Sequence, residues 1–307
     1  MSSSTPLAKK TNRWQDLLRM PLEVGRILIL VAMLLLLLLF LLGGTTQLYV
    51  DSNSVGRDEL SRLIPTPHEV WQAWQTYQDD LIETQIPNTL WATLTGLALA
   101  TVIGLGLASI MDMFPPLRWI LYPLLVLTQT IPTFAIAVIL ILLFGFGYGP
   151  KIIVVVLFCF FPIMVSTLDG LRSTNPLHMR LLRAMGANKL QTWWKVRLPT
   201  AMPSFFSGLR LAATYSVVGA VIGEYVGSGA GLGKFLQRSY RSFNTDQVFL
   251  VVIVIAALTV LLVLLVTLLE MLALRWLLVG RQSSNTIWQK IGGVWLVESL
   301  NKRVEAK

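Results

Sequence analysis

The 307-residue chain is 54% hydrophobic, carries a formal net charge of +9 and has a mean hydropathy of +0.66. That is more apolar surface than a soluble domain can hide in its core, so a water-soluble globular protein is excluded and a polytopic membrane protein is indicated. The basic excess does not point to nucleic acid either, because no segment gathers Lys and Arg on one folded surface with aromatic platforms.

Six apolar runs come near the ~20 residues a helix needs to cross a ~30 Å hydrocarbon layer. They cover roughly 24–42, 88–110, 117–143, 151–168, 203–225 and 249–278. Each is expected to be a helix, since a helix closes its own backbone hydrogen bonds in lipid and none of the runs alternates in polarity as a barrel strand would. The predicted fold is therefore all-α with about six transmembrane helices. The organisation that follows is a tail over 1–26, an anchor helix with an external segment over 27–87, a membrane core over 88–278 and a second tail over 279–307.

Lys9, Lys10, Arg13, Arg19 and Arg26 precede the Leu-rich first span. That span is followed by Gly43-Gly44-Thr45-Thr46-Gln47 rather than a small-x-small site, and is read as a retained anchor rather than a cleaved signal. Basic residues near span ends are kept on the cytoplasmic side. With the N-terminus inside, the inner segments hold 18 of the 25 Lys and Arg and the outer ones 6, with Arg210 inside the fifth span. Both termini are thus expected in the cytoplasm.

The outer segment before the second span is acidic, with Asp51, Asp58, Glu59, Glu69, Asp79, Asp80 and Glu83 against Arg57 and Arg62. Its Trp71, Trp74 and Tyr77 recur at helical spacing, which suits a helix lying on the outer leaflet or a surface that docks a partner. In the third span, Thr128, Gln129 and Thr130 cluster near Pro132, which is expected to kink the helix. Polar groups inside spans need protein or water, which makes Gln129, Thr130 and Pro132 pathway candidates. Cys159, the only cysteine, lies in the fourth span, so no internal disulfide exists and a packed small hydrophobe is expected. His68 and His178 fall on opposite sides of the membrane, and no metal site is expected.

Between the fourth and fifth spans runs a polar, basic stretch that includes Arg180, Leu181, Leu182, Met185, Gly186, Ala187 and Asn188, then Trp193, Trp194, Leu198 and Pro199. Leu181, Leu182 and Met185 share one helical face, and Gly186 allows a turn or a close approach. Trp193 and Trp194 are suited to fill a partner's groove, and Pro199 is expected to stop the helix. The plain alternative is an interfacial helix with its tryptophans at headgroup depth.

The fifth span carries Gly219, Gly223 and Gly227 at four-residue steps, a face for close packing within the chain or against a second copy. Tyr215 and Ser216 near its middle and Glu224 near its outer end are further pathway candidates; the plain reading of Glu224 is a hydrated residue, or a partner for Lys234 or Arg238. Arg210 is read as structural, by snorkelling or pairing with a helix end. The run Gly227-Ser228-Gly229-Ala230-Gly231-Leu232-Gly233-Lys234 fails as a phosphate loop, because Ser228 stands where Gly is needed and Phe235 where Ser or Thr is. No nucleophile and base pair is visible, so the chain is not expected to be an enzyme. In the tail, Trp288, Ile291 and Trp295 suit a helix on the inner leaflet.

From about Asn88 to Arg275 the chain resembles the inner-membrane permease family of binding-protein-dependent ABC importers, with its MetI-like fold. The polar stretch, with Gly186 followed by Val196, Leu198 and Pro199, looks like that family's coupling helix, at about 176–194. Where the family often opens this loop with Glu-Ala-Ala, this chain has Arg180-Leu181-Leu182. Gln129-Thr130-Ile131-Pro132, Leu143-Phe144-Gly145-Phe146-Gly147, Pro150-Lys151, Phe161-Pro162, Gly208-Leu209-Arg210-Leu211, Gly223-Glu224 and Gly231-Leu232-Gly233 are similar to the nitrate, sulfonate, taurine and thiamine-precursor branch.

The resemblance implies a permease subunit in a bacterial inner membrane, working as a homodimer with a dimer of separate ATPase subunits and an extracytoplasmic solute-binding protein. ATP and Mg would be bound by the ATPase and no cofactor by this chain. Tyr215 and Gln129 favour a pyrimidine precursor of thiamine, with nitrate, sulfonate or taurine as the alternative. An ATP-independent carrier or channel, the rival from another class, would want inverted repeats with broken helices or an ionisable relay in the membrane.

Overall fold

The computed structural model describes residues 65–227 and 229–274, and every regular element among them is helical. The expected first span, both tails and the start of the external segment lie outside the described residues. In chain order the helices are α1 (Pro67–Asp80), a π turn (Leu81–Gln85), α2 (Ile86–Met113), α3 (Pro115–Thr128), α4 (Thr133–Phe144) and α5 (Tyr148–Arg172). They continue as α6 (Pro176–Ala184), α7 (Lys189–Thr192), a second π turn (Trp193–Arg197), α8 (Leu198–Gly227), α9 (Leu232–Arg241) and α10 (Thr245–Ala273). These residues form two compact units, one from 65–88 and 230–260, the other from 89–229 and 261–274.

In the first unit, Thr66 and Glu69 close a capping box and Pro67 takes the first helical position, so α1 starts where its sequence dictates. It is not a separate surface helix. The helix runs from Pro67 to Met113 without a break, because the π turn absorbs the irregularity at Leu81–Gln85 instead of ending it. Gln85 in that turn is buried and accepts the Gly231 N–H at 2.7 Å. Of the expected aromatic stripe, Tyr77 packs edge-on against Phe235 at 5.6 Å and its hydroxyl accepts from Gln247 Nε2 at 3.0 Å, while Trp71 stays exposed.

Four described helical stretches are long and apolar enough to cross a membrane: Pro67–Met113, Tyr148–Arg172, Lys189–Gly227 and Thr245–Ala273. The expected third span is instead a broken pair, with α3 and α4 meeting at 89°. Pro132 accounts for more than the kink it was expected to cause. It pushes Ile131 out of helical geometry, and the last α3 turn tightens as the Gln129 and Thr130 N–H groups bond the carbonyls of Val126 and Leu127.

The second unit is built on the antiparallel pair α5 and α8. A Cβ on Gly170 would sit 2.8 Å from Ser204 Cβ, one on Gly208 2.7 Å from the Pro162 carbonyl, one on Gly219 3.2 Å from Val155 Cα, and one on Gly223 3.1 Å from Lys151 Cα. Each crossing is therefore backbone to backbone. Helix α2 also reaches α5 at glycines, with Gly96 against the Val155 side chain and Gly104 against the Phe160 carbonyl. Lipid tails are as apolar as leucine, so these helices associate through close packing rather than water exclusion. At one end of the pair, Ala108, Met111, Met164, Leu168, Leu171 and Ala201 form a buried cluster against which Trp193 packs. Buried Cys159 donates its Sγ–H to the Ala212 carbonyl at 3.2 Å.

Gly208→Val should lose about 1–3 kcal/mol by overpacking the α5–α8 contact. Gly106→Ala, where an added Cβ meets nothing within 4 Å, should be neutral or stabilise by about 0.5 kcal/mol. Thermal unfolding in detergent checks the pair, and equal losses at the two sites would refute this packing account.

Candidate functional site

The polar stretch folds into two pieces rather than one helix to about residue 194. Asn175 Oδ1 accepts the Leu177 N–H as α6 begins, and α6 ends at Ala184. Gly186 then adopts φ +80, and the Ala187 N–H reaches back to the Leu182 carbonyl at 3.0 Å, a left-handed helix stop. Of the two roles expected of Gly186 the structure gives the turn, since an added Cβ would meet nothing within 4 Å. Asn188 and Gln191 close a second capping box that starts α7, and from there the helix continues as far as Gly227.

Helix α6 is short, amphipathic and open. Leu177, Leu181 and Met185, spaced four apart, are all more than half exposed, with exposed Arg180 beside them and Leu182 partly covered. Leu190 and Trp194 extend this apolar surface past the turn. Two expectations are corrected here. Trp193 is turned inward against the buried cluster and not outward to a partner, so Trp194 alone of the pair is presented. Nor does Pro199 stop the helix: the preceding π turn, closed by the Leu198 N–H on the Trp193 carbonyl, accommodates the proline, and Leu198 and Pro199 are half-buried in a continuous helix.

The pathway candidates separate into two groups. Thr128, Gln129 and Thr130 are exposed at the α3–α4 break; both threonine hydroxyls donate back to carbonyls of their own turn, and Gln129 Nε2 donates to Thr128 Oγ1. Pro132 is exposed at the start of α4, and Tyr215 is 41% exposed on α8 between exposed Leu211 and Val218. Ser216 is buried and donates to the Ala213 carbonyl, and Glu224 is buried as well, so neither lies on this exposed face. Gly219, Gly223 and Gly227 face α5 and α4 of the same chain, with Ile141 Cδ1 only 2.4 Å from a Cβ on Gly227.

Charged side chains within the spans join distant parts of the sequence. Glu224 lies 4.0 Å from Lys151 Nζ and accepts from Thr89 Oγ1 at 2.9 Å, with the Tyr148 ring 4.8 Å from the same ammonium. Glu224 is therefore neither hydrated nor set against Lys234 or Arg238, the two plain alternatives for it; Lys234 donates to Gln237. Arg210 Nη1 pairs with Glu270 and its Nη2 donates to Ser207. Arg197 Nη1 meets Asp112 Oδ2 at 2.5 Å. Lys151, Asp112, Arg197 and Glu270 were not expected as partners. The signal available for them was the presence of opposite charges in or beside separate apolar runs, where an unpaired one would be costly. Among the described residues no group of three or more His, Cys, Asp or Glu is placed to hold a metal ion.

Residues 84–276 match the family described as the inner membrane component of binding-protein-dependent transport systems. The chain is 38% identical to the formylaminopyrimidine transport permease protein of Halalkalibacterium halodurans, over 61% of this chain and 75% of the relative. It is 31% identical to the riboflavin transport system permease protein of Chloroflexus aurantiacus, over 70% and 80%, and 27% identical to the taurine transport system permease protein of Escherichia coli, over 61% and 70%.

Glu224→Ala should cost about 3–5 kcal/mol, because it leaves the Lys151 ammonium buried without its carboxylate. Adding Lys151→Met should recover most of that loss. Unfolding midpoints of the single and double variants decide it, and simply additive losses would show that the two side chains are not coupled.

Proposed function

The chain belongs to the family of inner membrane components of binding-protein-dependent transport systems, and on that premise we propose how this permease couples, what it carries and how it assembles. As a permease of an ABC importer it is a transporter rather than an enzyme, and the family implies an ATPase and a solute-binding protein as partners. Helix α6 is the element that docks on the ATPase. The observation that carries this is the exposed stripe of Leu177, Leu181 and Met185 on an amphipathic helix held at a left-handed turn, the form in which a helix lies in a partner's groove. ATP and Mg are bound by a dimer of that separate ATPase and not by this chain.

The transported molecule is a small aromatic heterocycle of the pyrimidine-precursor type. Support comes first from the relatives, since two that are more than 30% identical are named for formylaminopyrimidine and riboflavin, both nitrogen heterocycles, while the taurine relative is more distant. Second, the anionic group of a sulfonate or nitrate calls for a free cation in the spans, whereas Lys151 and Arg210 are both set against carboxylates. Tyr215 offers a ring to stack on, and Gln129 an amide that both donates and accepts. Gln129, Thr130 and Tyr215 line the pathway, and Pro132 holds the break open.

A second copy of the chain completes that pathway. The broken pair supports this: Trp119, Ile120, Leu142, Leu143 and Phe146 are each more than two-thirds exposed beside the polar break, a wide apolar face for a like subunit within the bilayer. The protein resides in a bacterial inner membrane with both termini cytoplasmic, which places α6 on the side where ATP is available.

In proteoliposomes containing the permease, its ATPase and its binding protein, formylaminopyrimidine should raise ATP hydrolysis several-fold, and taurine and nitrate should not. Gly186→Val should abolish the rise, because a β-branched residue strains the left-handed turn by about 1–2 kcal/mol, while Gly186→Asn should retain most of it. Stimulation by taurine alone would move the substrate to the sulfonate class. Full stimulation in Gly186→Val would remove the turn from the coupling path.

A further inference from the structure

The helix that returns from α6 is a single rod of 39 residues, Lys189–Gly227, interrupted only by the π turn at Trp193–Arg197. Everything below that turn is Lys189–Thr192, joined to α6 through the Gly186 stop. Everything above it is α8, with Tyr215 about 27 Å further along the axis at 1.5 Å per residue. Along the chain, displacement of α6 toward its C-terminal side reaches α8 through this turn.

The π turn is also where the rod is fastened. Trp193 at its first position packs against the buried cluster contributed by α2, α5 and α8. Arg197 at its last position pairs with Asp112, in the final turn of α2, at 2.5 Å; the Asp112 side chain is 5% exposed and that of Arg197 30%. The extra residue of a π turn is costly in an otherwise regular helix and tends to persist where function requires it. Among the described residues, no acceptor stands within hydrogen-bond distance of two buried donors at this spot, Trp193 Nε1 and Arg197 Nε. A buried donor left in that state favours any rearrangement that supplies an acceptor. The joint thus combines one strong bond with an incentive to turn.

We propose that Asp112, Arg197 and Trp193 form a pivot that converts displacement of α6 into rotation of α8 against α2 and α5. Asp112 and Arg197 act as positioning residues, through α8, and touch no substrate. The pivot rests on the reading of α6 as the ATPase-docking helix. It adds that movement enters the bundle at one ion pair joining residues 85 positions apart.

The test uses the full chain assembled with its ATPase in lipid, with spin labels at exposed Val102 on α2 and Val218 on α8. The distance between the labels is measured without nucleotide and after trapping with ATP and vanadate. The unsubstituted pivot should give a shifted distance on trapping. Asp112→Asn and Arg197→Gln should lose that shift while complex yield and ATP hydrolysis stay within twofold of the parent, and Arg197→Lys should keep it. A full shift in Asp112→Asn and Arg197→Gln overturns the pivot and leaves docking by α6 intact. Loss of the shift only in proportion to lost complex also overturns it, by reducing the pair to a structural tie. Failure of the parent chain to bind an ATPase, or to shift on trapping, overturns the docking reading and the pivot with it.

Discussion

Helix α8 lies close against α5 because glycines stand at several of the points where the two backbones approach. In water a poor fit at one crossing is offset by apolar burial elsewhere, whereas in lipid the surrounding chains offer equivalent contacts and only close approach distinguishes the native pairing. Gly170, Gly208, Gly219 and Gly223 therefore set the register of the antiparallel pair, and Gly96 and Gly104 set α2 beside it. Every other feature of the second unit inherits that register. It brings Glu224 level with Lys151, and at the opposite end it puts Trp193 against the buried cluster.

Irregular helix geometry appears where a change of direction or a fastening is needed. The break at Gln129–Pro132 leaves Thr128, Gln129 and Thr130 exposed between two apolar helices that meet at 89°. The turn at Gly186 releases α6 from the bundle, and the π turn beyond it holds the returning helix to α2. The helix before the glycine is exposed and the helix after it is tied to α2.

Much of the candidate site was legible in the residues. Leu181 and Met185 with Gly186 marked an amphipathic helix and its turn, because helical spacing and the left-handed tolerance of glycine are local properties. The division of labour between Trp193 and Trp194 was not legible. Two adjacent tryptophans read alike in sequence, and only the π turn decides which of them faces the bundle. Ser216 and Glu224 likewise read as polar residues in a span, but whether such a residue lines a path or is buried between helices depends on which face of α8 meets α5. The expected stop at Pro199 failed because a wider turn just upstream absorbs the missing N–H.

By itself the sequence determined the class of the protein, the helical character of its spans, the family to which it belongs and the position of the helix that leaves the bundle. The class and the helical spans follow from composition and from periodicity along one stretch of chain, and the family follows from the resemblance of its motifs to those of known permeases. Tertiary structure alone decided the partners: Glu224 with Lys151, Arg197 with Asp112, Arg210 with Glu270, and the third span as a pair of helices at 89°. Those pairings join residues 60 to 85 positions apart. They exist because a charge in or beside a span is stable only where helix packing has already brought its counterpart within reach, and that packing is a property of several helices together.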